Sequence, residues 1–325
     1  VIRWGIAGPG SIANAFATTM QVVDGGEIGA VASRSVERAA AFAEEFAIPR
    51  HYGDYGALAH DDGVDVVYVA TPHARHAADT LAYLSGGKHV LCEKPLALNA
   101  GQVRAMTDAA RAQGRFLMEA LWSRFLPSYR LLTEVLAAGR IGQPLFAEAD
   151  FGFRAPIDPN GRLFDLAQGG GALLDLGIYA LHLCTLVLGP VERAVAAGVV
   201  GETGVDEVTA AILHHRGGTI GVIKAAIRAN LSSTGRIAGT EGSIEIPPYM
   251  HCPQSITVVA PGGGREVLQA PFELRQGFRY EIEEVHRCLA DGATESAVMP
   301  LAESLALAVV MDDIRSQLGV VYPGE

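Results

Sequence analysis

Apolar and polar positions follow two different rhythms along this chain. From the amino terminus to about residue 120, short apolar runs alternate with segments of helical spacing. Ile2–Ala7, Glu27–Ala32, Val64–Ala70, His89–Cys92 and Phe116–Met118 read as strands, and Ala15–Val22, Ala39–Phe46 and Ala74–Ser85 as helices between them. Such alternation predicts a doubly wound parallel sheet. A helix running to about Ala138 follows Glu119–Phe125. Beyond it, Leu145–Phe153, Arg193–Val200, Val208–His214, Thr219–Ala226, Ser232–Ala238 and Ser255–Val259 succeed one another without that helical alternation. This second rhythm predicts a large, mostly antiparallel open sheet. Pro261–Gly264 reads as an exposed hairpin turn, and Arg279–Leu289 and Leu301–Leu318 as helices, the last expected to return toward the first domain. The expected fold class is α/β: a doubly wound parallel domain over residues 1–120, then an α+β domain over residues 121–325.

Composition narrows the function classes. A chain of 325 residues exceeds the size at which one core usually stops growing, in keeping with two domains. Its 49% hydrophobic and 19% charged residues describe a core-rich globular protein. A net charge of −11 argues against nucleic acid as a main partner. Cys92, Cys184, Cys252 and Cys288 are scattered without metal-ligand spacing, so no metal is expected and free thiols in a reducing cytoplasm are. No basic-then-apolar leader opens the sequence and no run of ~18 uninterrupted apolar residues occurs, so a membrane span is not expected either.

The first apolar run feeds into Gly8-Pro9-Gly10-Ser11-Ile12-Ala13, a Gly-x-Gly-x-x-Ala pattern. Gly8 permits a tight turn, Gly10 lets the backbone approach a pyrophosphate, and Ala13 keeps the next helix close to the strand. The helix amino terminus then offers free N–H groups and a positive dipole end to phosphates. Where the second strand ends, an NAD-preferring protein usually carries an acidic residue for the ribose 2′-hydroxyl. Ser33-Arg34-Ser35, with Arg38 one turn on, instead suits the 2′-phosphate of NADP(H). Thr71 and Pro72 follow the Val64–Ala70 strand, where a doubly wound sheet opens its ligand crevice. His76 stands between a cofactor role and a place on the surface.

Cys92-Glu93-Lys94-Pro95 carries the sharpest chemical signal. The chain has only three lysines, Lys88, Lys94 and Lys224, against 22 arginines. Lysine as a residue type suits tuned acid/base work because burial moves its pKa readily, whereas arginine stays charged. An ion pair with Glu93 is the plainer alternative. Further on, Gly169–Gly171 leads into an apolar segment in which spacings of four and three set Asp175, Tyr179 and His182 on one helical face. Such a polar stripe either hydrogen-bonds within a core or faces a cleft. Trp122, one of two tryptophans, sits near the expected domain crossover and either walls a pocket or anchors a core.

Taken in order, the glycine loop, Glu93-Lys94-Pro95, the Trp122 segment, Gly169–Gly171 with Asp175 and Tyr179, and Gly239-Thr240-Glu241-Gly242 resemble the Gfo/Idh/MocA oxidoreductase family. Ala172–Tyr179 and the stretch from Pro300-Leu301 to Gly319-Val320 resemble its dimeric dihydrodiol dehydrogenase and NADP-dependent xylose dehydrogenase branch. The resemblance implies that Lys94 stands beside the nicotinamide and the reacting oxygen, with Tyr179 as general acid/base. Asp175 would orient either of them or bind a substrate hydroxyl. Gly8, Gly10, Ser11, Ile12, Ser33, Arg34, Arg38, Thr71, Pro72, His76, Glu93, Lys94 and Arg162 become the cofactor candidates. Trp122, Arg124, His182, His251 and Phe272 become the substrate candidates. Family members often carry tryptophan just before the arginine, where this chain has Gly161. His251 stands about where the dihydrodiol branch has an aromatic residue, which favours a polar substrate such as a sugar.

The chemistry has a physical basis of its own. A tyrosine with an ordinary pKa near ~10 is a poor base at neutral pH, and an adjacent lysine cation favours the phenolate and steadies a developing oxyanion. The expected activity is NADP(H)-dependent hydride transfer on a sugar or vicinal diol, by a homodimer joined through the second-domain sheet. Two alternatives stay open at this point: a non-catalytic NADP(H)-sensing regulator of the same fold, and a sugar–sugar oxidoreductase whose cofactor stays bound.

Overall fold

The computed structural model describes residues 1–325. Contacts divide the chain into two units: Val1–Phe125 with Glu273–Leu305, and Leu126–Phe272 with Ala306–Glu325.

The first unit is built on a six-stranded parallel sheet of order β3-β2-β1-β4-β5-β6. Its strands are β1 (Ile2–Ala7), β2 (Gly26–Ala32), β3 (Arg50–Tyr52), β4 (Val66–Val69), β5 (His89–Glu93) and β6 (Leu117–Ala120). The linking helices are α1 (Ser11–Met20), α2 (Val36–Glu45), α3 (His76–Ser85) and α4 (Ala100–Gln113). β4 is fully buried along its length, because helices cover both faces of a parallel sheet. The strand order reverses between β1 and β4, so the chain leaves their carboxyl ends in diverging directions. Gly8–Gly10, Thr71-Pro72 and Glu93-Lys94 therefore follow the ends of three neighbouring strands, β1, β4 and β5.

The periodicity does not announce β3 or α4. β3 has three residues, too few for a pattern. α4 is rich in alanine with only Val103 and Met106 as larger apolar residues, and it starts at a side-chain cap, Gln102 N donating to Asn99 Oδ1 at 2.8 Å.

The second unit holds an eight-stranded sheet of order β14-β13-β12-β11-β7-β10-β9-β8. After α5 (Pro127–Ala137) come β7 (Pro144–Gly152), a π-helical turn (Leu173–Gly177) and α6 (Ile178–Leu188). The remaining strands are β8 (Val191–Val200), β9 (Asp206–His215), β10 (Ile220–Ala226), β11 (Gly235–Gly239), β12 (Gly242–Ile246), β13 (Ser255–Val259) and β14 (Arg265–Gln269). Every neighbouring pair is antiparallel except β10 and β7. β12 and β14, absent from the pattern reading, are short, and edge strand β14 lies exposed with no buried face to impose alternation.

α6 packs on one face of this sheet, with the Cys184 Sγ 3.7 Å from the Ala147 carbonyl. Leu166–Leu188 is long and apolar enough to cross a bilayer by length and composition, although Gln168, Asp175 and His182 interrupt its apolar run. Burial of 83% of its most apolar window gives that apolarity its use inside the core, where the π turn and α6 lie. α7 (Arg279–Ala290) belongs to the first unit, and the boundary between units falls inside α8 (Leu301–Leu318), after Leu305. All four cysteines are free and buried.

Candidate functional site

In the first unit, Gly8 takes φ +94°, and a Cβ there would meet the Ala70 carbonyl oxygen at 2.7 Å, so only glycine fits the turn. Gly10 precedes α1, and nothing lies within 4 Å of where its Cβ would stand. The first turn of α1 carries no acidic residue. An open backbone cradle at an uncompensated helix amino terminus fits the pyrophosphate of a dinucleotide.

Arg38 reaches this loop, its Nη2 donating to the Pro9 carbonyl at 3.3 Å. Ser35 caps α2 by accepting from Arg38 N at 3.2 Å, and its hydroxyl donates to Glu37 at 2.6 Å. Ser33 is buried and its Oγ accepts from Ser35 N at 3.3 Å, while Arg34 is exposed. Of the expected 2′-phosphate group, Arg38 is thus the residue whose guanidinium lies on the glycine loop.

Thr71 is buried and donates to Asp79 Oδ2 at 2.9 Å. His76 is fully buried, which removes its surface reading. Its Nδ1 lies 2.8 Å from the Pro95 carbonyl and its Nε2 2.8 Å from the Thr71 carbonyl. The ring spans the loops that follow β4 and β5, so its influence on a bound cofactor passes through those loops. Burial pushes its pKa down, though both carbonyls favour the protonated ring.

Glu93 sits at the carboxyl end of β5, and its Oε1 accepts from the Tyr68 hydroxyl at 2.5 Å. Its Oε2 accepts from Lys94 N at 3.2 Å, and the Lys94–Pro95 peptide is cis. Tyr68 in turn stacks on Phe16 of α1, with ring centroids 3.9 Å apart. This chain from the dinucleotide helix to Lys94 was not legible in the sequence, because Tyr68 reads there as one more apolar strand residue. Glu119 on β6 accepts from Leu96 N at 2.8 Å and is raised by burial to about 7. Trp122 stacks on Phe278 with centroids 5.3 Å apart, and Arg124 donates to the Val298 carbonyl at 2.8 Å and to Glu303 at 3.3 Å. Both candidates are thus engaged within their own unit. A cavity of about 510 Å³ lined by Arg3, Gly26, Glu27 and Arg50 opens at the amino ends of β1 and β2, away from these loops.

In the second unit, Asp175 lies in the π-helical turn, whereas Tyr179 and His182 lie on α6. Both elements belong to one continuous run, the π turn passing into α6 at Ile178. Asp175 is buried and pairs with Arg162 through both nitrogens, Nη1–Oδ1 at 3.0 Å and Nη2–Oδ2 at 3.3 Å. The fork geometry suits a carboxylate, and Arg162 remains 60% exposed. His182 is fully buried and stacked on Tyr129.

Tyr179 shares an aromatic group with His251 at 5.3 Å and Phe151 at 5.9 Å between ring centroids. Phe151 and His251 stack at 4.3 Å with 12° between their planes. Phe151, which periodicity does not single out, lays a flat apolar ring against His251. Its signal was its place in β7, beside Gly152 where the strand ends. Phe272 is half-buried at the end of its segment.

Comparison with known proteins gives the family of both units. An oxidoreductase family with an NAD-binding Rossmann fold, Gfo/Idh/MocA, matches residues 2–121, and the Gfo/Idh/MocA C-terminal domain matches residues 129–245. Trans-1,2-dihydrobenzene-1,2-diol dehydrogenase of Mus musculus is 41% identical over 99% of this chain and 98% of its own. The Homo sapiens enzyme of that name is 38% identical over the same shares. Among solved structures, a 3-ketoreductase from Actinomadura kijaniata, in complex with NADP and TDP-benzene, is 27% identical with a TM-score of 0.88 over 97% of both chains. An aldose–aldose oxidoreductase from Caulobacter crescentus, at 24% identity and TM-score 0.88 over 97% of both chains, shares the fold. The chain belongs to the Gfo/Idh/MocA oxidoreductase family, in its dihydrodiol dehydrogenase branch.

Proposed function

We propose that this chain is an NADP(H)-dependent oxidoreductase of vicinal diols or sugars, with Tyr179 as the general acid/base and Lys94 as its cationic partner. The observation that carries the proposal is the grouping of Tyr179 with Phe151 and His251. A phenol beside a stacked pair of flat rings is suited to receive a ring-shaped carbinol and to exchange a proton with its hydroxyl. The names of the mammalian relatives support a vicinal diol.

Gly8, Gly10 and the amino terminus of α1 would hold the cofactor pyrophosphate, and Arg38, with Ser33 and Arg34, its 2′-phosphate. When bound, the nicotinamide accepts or returns the hydride. Tyr179 takes the proton of the reacting hydroxyl, or returns it in the opposite direction. Lys94 is assigned to favour the phenolate and to steady negative charge on the reacting oxygen. Asp175 and Arg162, locked as a fork, orient the substrate hydroxyls or the Tyr179 segment.

The open face of the second-unit sheet supports a homodimer. Val195 and Ile212 pair directly across β8 and β9, and each is 46% exposed.

The test is NADP⁺ reduction followed at 340 nm against aryl and alicyclic trans-diols, aldoses and inositols, with NAD⁺ in parallel. Turnover on a diol or pyranose with NADP⁺ is expected. Tight NADPH binding with no turnover across the panel would overturn the enzyme reading in favour of a sensor.

A further inference from the structure

Asp206, the first residue of β9, is fully buried at the start of the helical segment that carries Asp175 and Tyr179. Its Oδ2 accepts from Leu173 N, the first residue of the π-helical turn, at 2.7 Å, and from Thr209 Oγ1 at 2.6 Å. Its Oδ1 has no hydrogen-bond partner. That oxygen faces Gly171, which takes φ +123°, so closely that no Cβ could be placed there.

The tail closes the same region. Tyr322 donates to the Gly170 carbonyl at 2.7 Å, and the Arg315 guanidinium lies 4.8 Å from the Tyr322 ring centroid.

A neutral serine, threonine or asparagine would cap a helix amino terminus as well as aspartate does. A buried carboxylate with one oxygen unsatisfied costs stability that those residues would not. What the charge adds is attraction to the positive helix end and two charge-assisted bonds that fix the rotation of the segment. We propose that Asp206 is a positioning residue which, as the carboxylate, sets the orientation of the Asp175–Tyr179 segment, so that turnover follows its ionisation.

The proposal rests on the reading of Tyr179 as the acid/base. Burial raises Asp206 to about 6, inside the working range of pH. Its polar surroundings on each packed element are Thr209 on its own strand, the Leu173 N–H on the π turn, Arg315 on α8 and Tyr322 in the tail. Arg315 is paired with Asp312 and Glu325, and burial pushes the Tyr322 phenol upward, so neither titrates near pH 6.

The experiment uses Asp206→Asn and Thr209→Val in the full chain, with a substrate from the panel above and Tyr179→Phe alongside. Asp206→Asn keeps the shape and one acceptor. It is expected to lower kcat by about 10²-fold, the scale of a ~1 Å misplacement, while leaving the KM for NADP⁺ unchanged. The acid limb of kcat near pH 6 should disappear. Thr209→Val removes a donor to the ionised form and should move that limb to higher pH. A folded Asp206→Asn with unchanged kcat and limb overturns the proposal, as does a limb that Thr209→Val leaves in place. Should Asp206→Asn fail to fold, Thr209→Val decides. A fully active Tyr179→Phe brings down the reading beneath it, whereas an inactive Tyr179→Phe beside a normal Asp206→Asn overturns the Asp206 role alone.

Discussion

The rings of Phe151 and His251 lie 4.3 Å apart and within 12° of parallel, and Tyr179 stands tilted against both. With Tyr179 as the proposed acid/base, such a stacked pair would offer a ring substrate a flat surface beside the phenol. Phe151→Ala removes an aromatic partner worth about 0.5–1.5 kcal/mol. It is expected to lower kcat/KM for cyclic diols by up to about tenfold, and much less for acyclic diols. Equal loss on both substrate types, measured at 340 nm, would remove the stacking role.

Tyr179→Phe and Lys94→Met separate chemistry from cofactor binding. Each is expected to cost about 10²–10⁴-fold in kcat, the usual range for losing general acid/base assistance. NADPH binding, read by nucleotide fluorescence, should remain, since the glycine loop is untouched. Full activity in both variants would sink the assigned mechanism.

Arg38→Ala tests cofactor choice. A charge-assisted bond to a phosphate contributes about 1.5–3 kcal/mol, so KM for NADP⁺ should rise at least about tenfold while KM for NAD⁺ stays level. The wild-type preference should also weaken with added salt, because the guanidinium is exposed. Parallel losses for both cofactors would count against a 2′-phosphate contact.

Glu119 predicts an unusual pH dependence of stability. Unfolded, it ionises near its ordinary 4.5; folded, burial raises it to about 7. A raised carboxyl adds stability that is complete below pH 4.5 and is lost as pH climbs through 7. At pH 8 the folded chain therefore holds a buried carboxylate at a cost of up to about 3 kcal/mol. Glu119→Gln, which keeps an acceptor for Leu96 N, should raise urea stability by about 1–3 kcal/mol at pH 8 and change little near pH 4.5. A variant less stable at both values would contradict this.

The paired valine and isoleucine on the open sheet face predict a dimer in light scattering at micromolar concentration. Val195→Glu with Ile212→Lys should shift the mass toward the monomer without altering NADPH binding. A monomeric wild-type mass would refute the interface.

Much of the first unit was legible because its signals are local. A glycine turn, a buried strand and a helix start declare themselves within a few residues, so Gly8, Gly10 and the ends of β1, β4 and β5 could be read directly. β3 and β14 leave no hydrophobic period, and the periods of α4 (Val103, Met106, Ala110) and β12 (Ile244, Ile246) rest on two or three residues each, too few to stand out along the chain. Arg38 was found through its residue type, whereas its hold on Pro9 depends on the loop's shape.

The sequence by itself determined the two rhythms, the parallel and antiparallel sheets, the dinucleotide loop and the candidacy of Lys94, Asp175 and Tyr179. These follow from periodicity and side-chain chemistry, which need only neighbours along the chain. The tertiary structure alone decided the partners: Tyr68 on Glu93, Phe151 on His251, Arg162 on Asp175 and Asp206 on Leu173. All four pairs join residues that stand 13 or more positions apart, and His251 and Arg162 reach their partners from loops. It also decided that Asp175 sits on a π turn, which changes the angular spacing that α-helical arithmetic assumes. Pairings of that kind depend on strand order and register, and no local pattern encodes them.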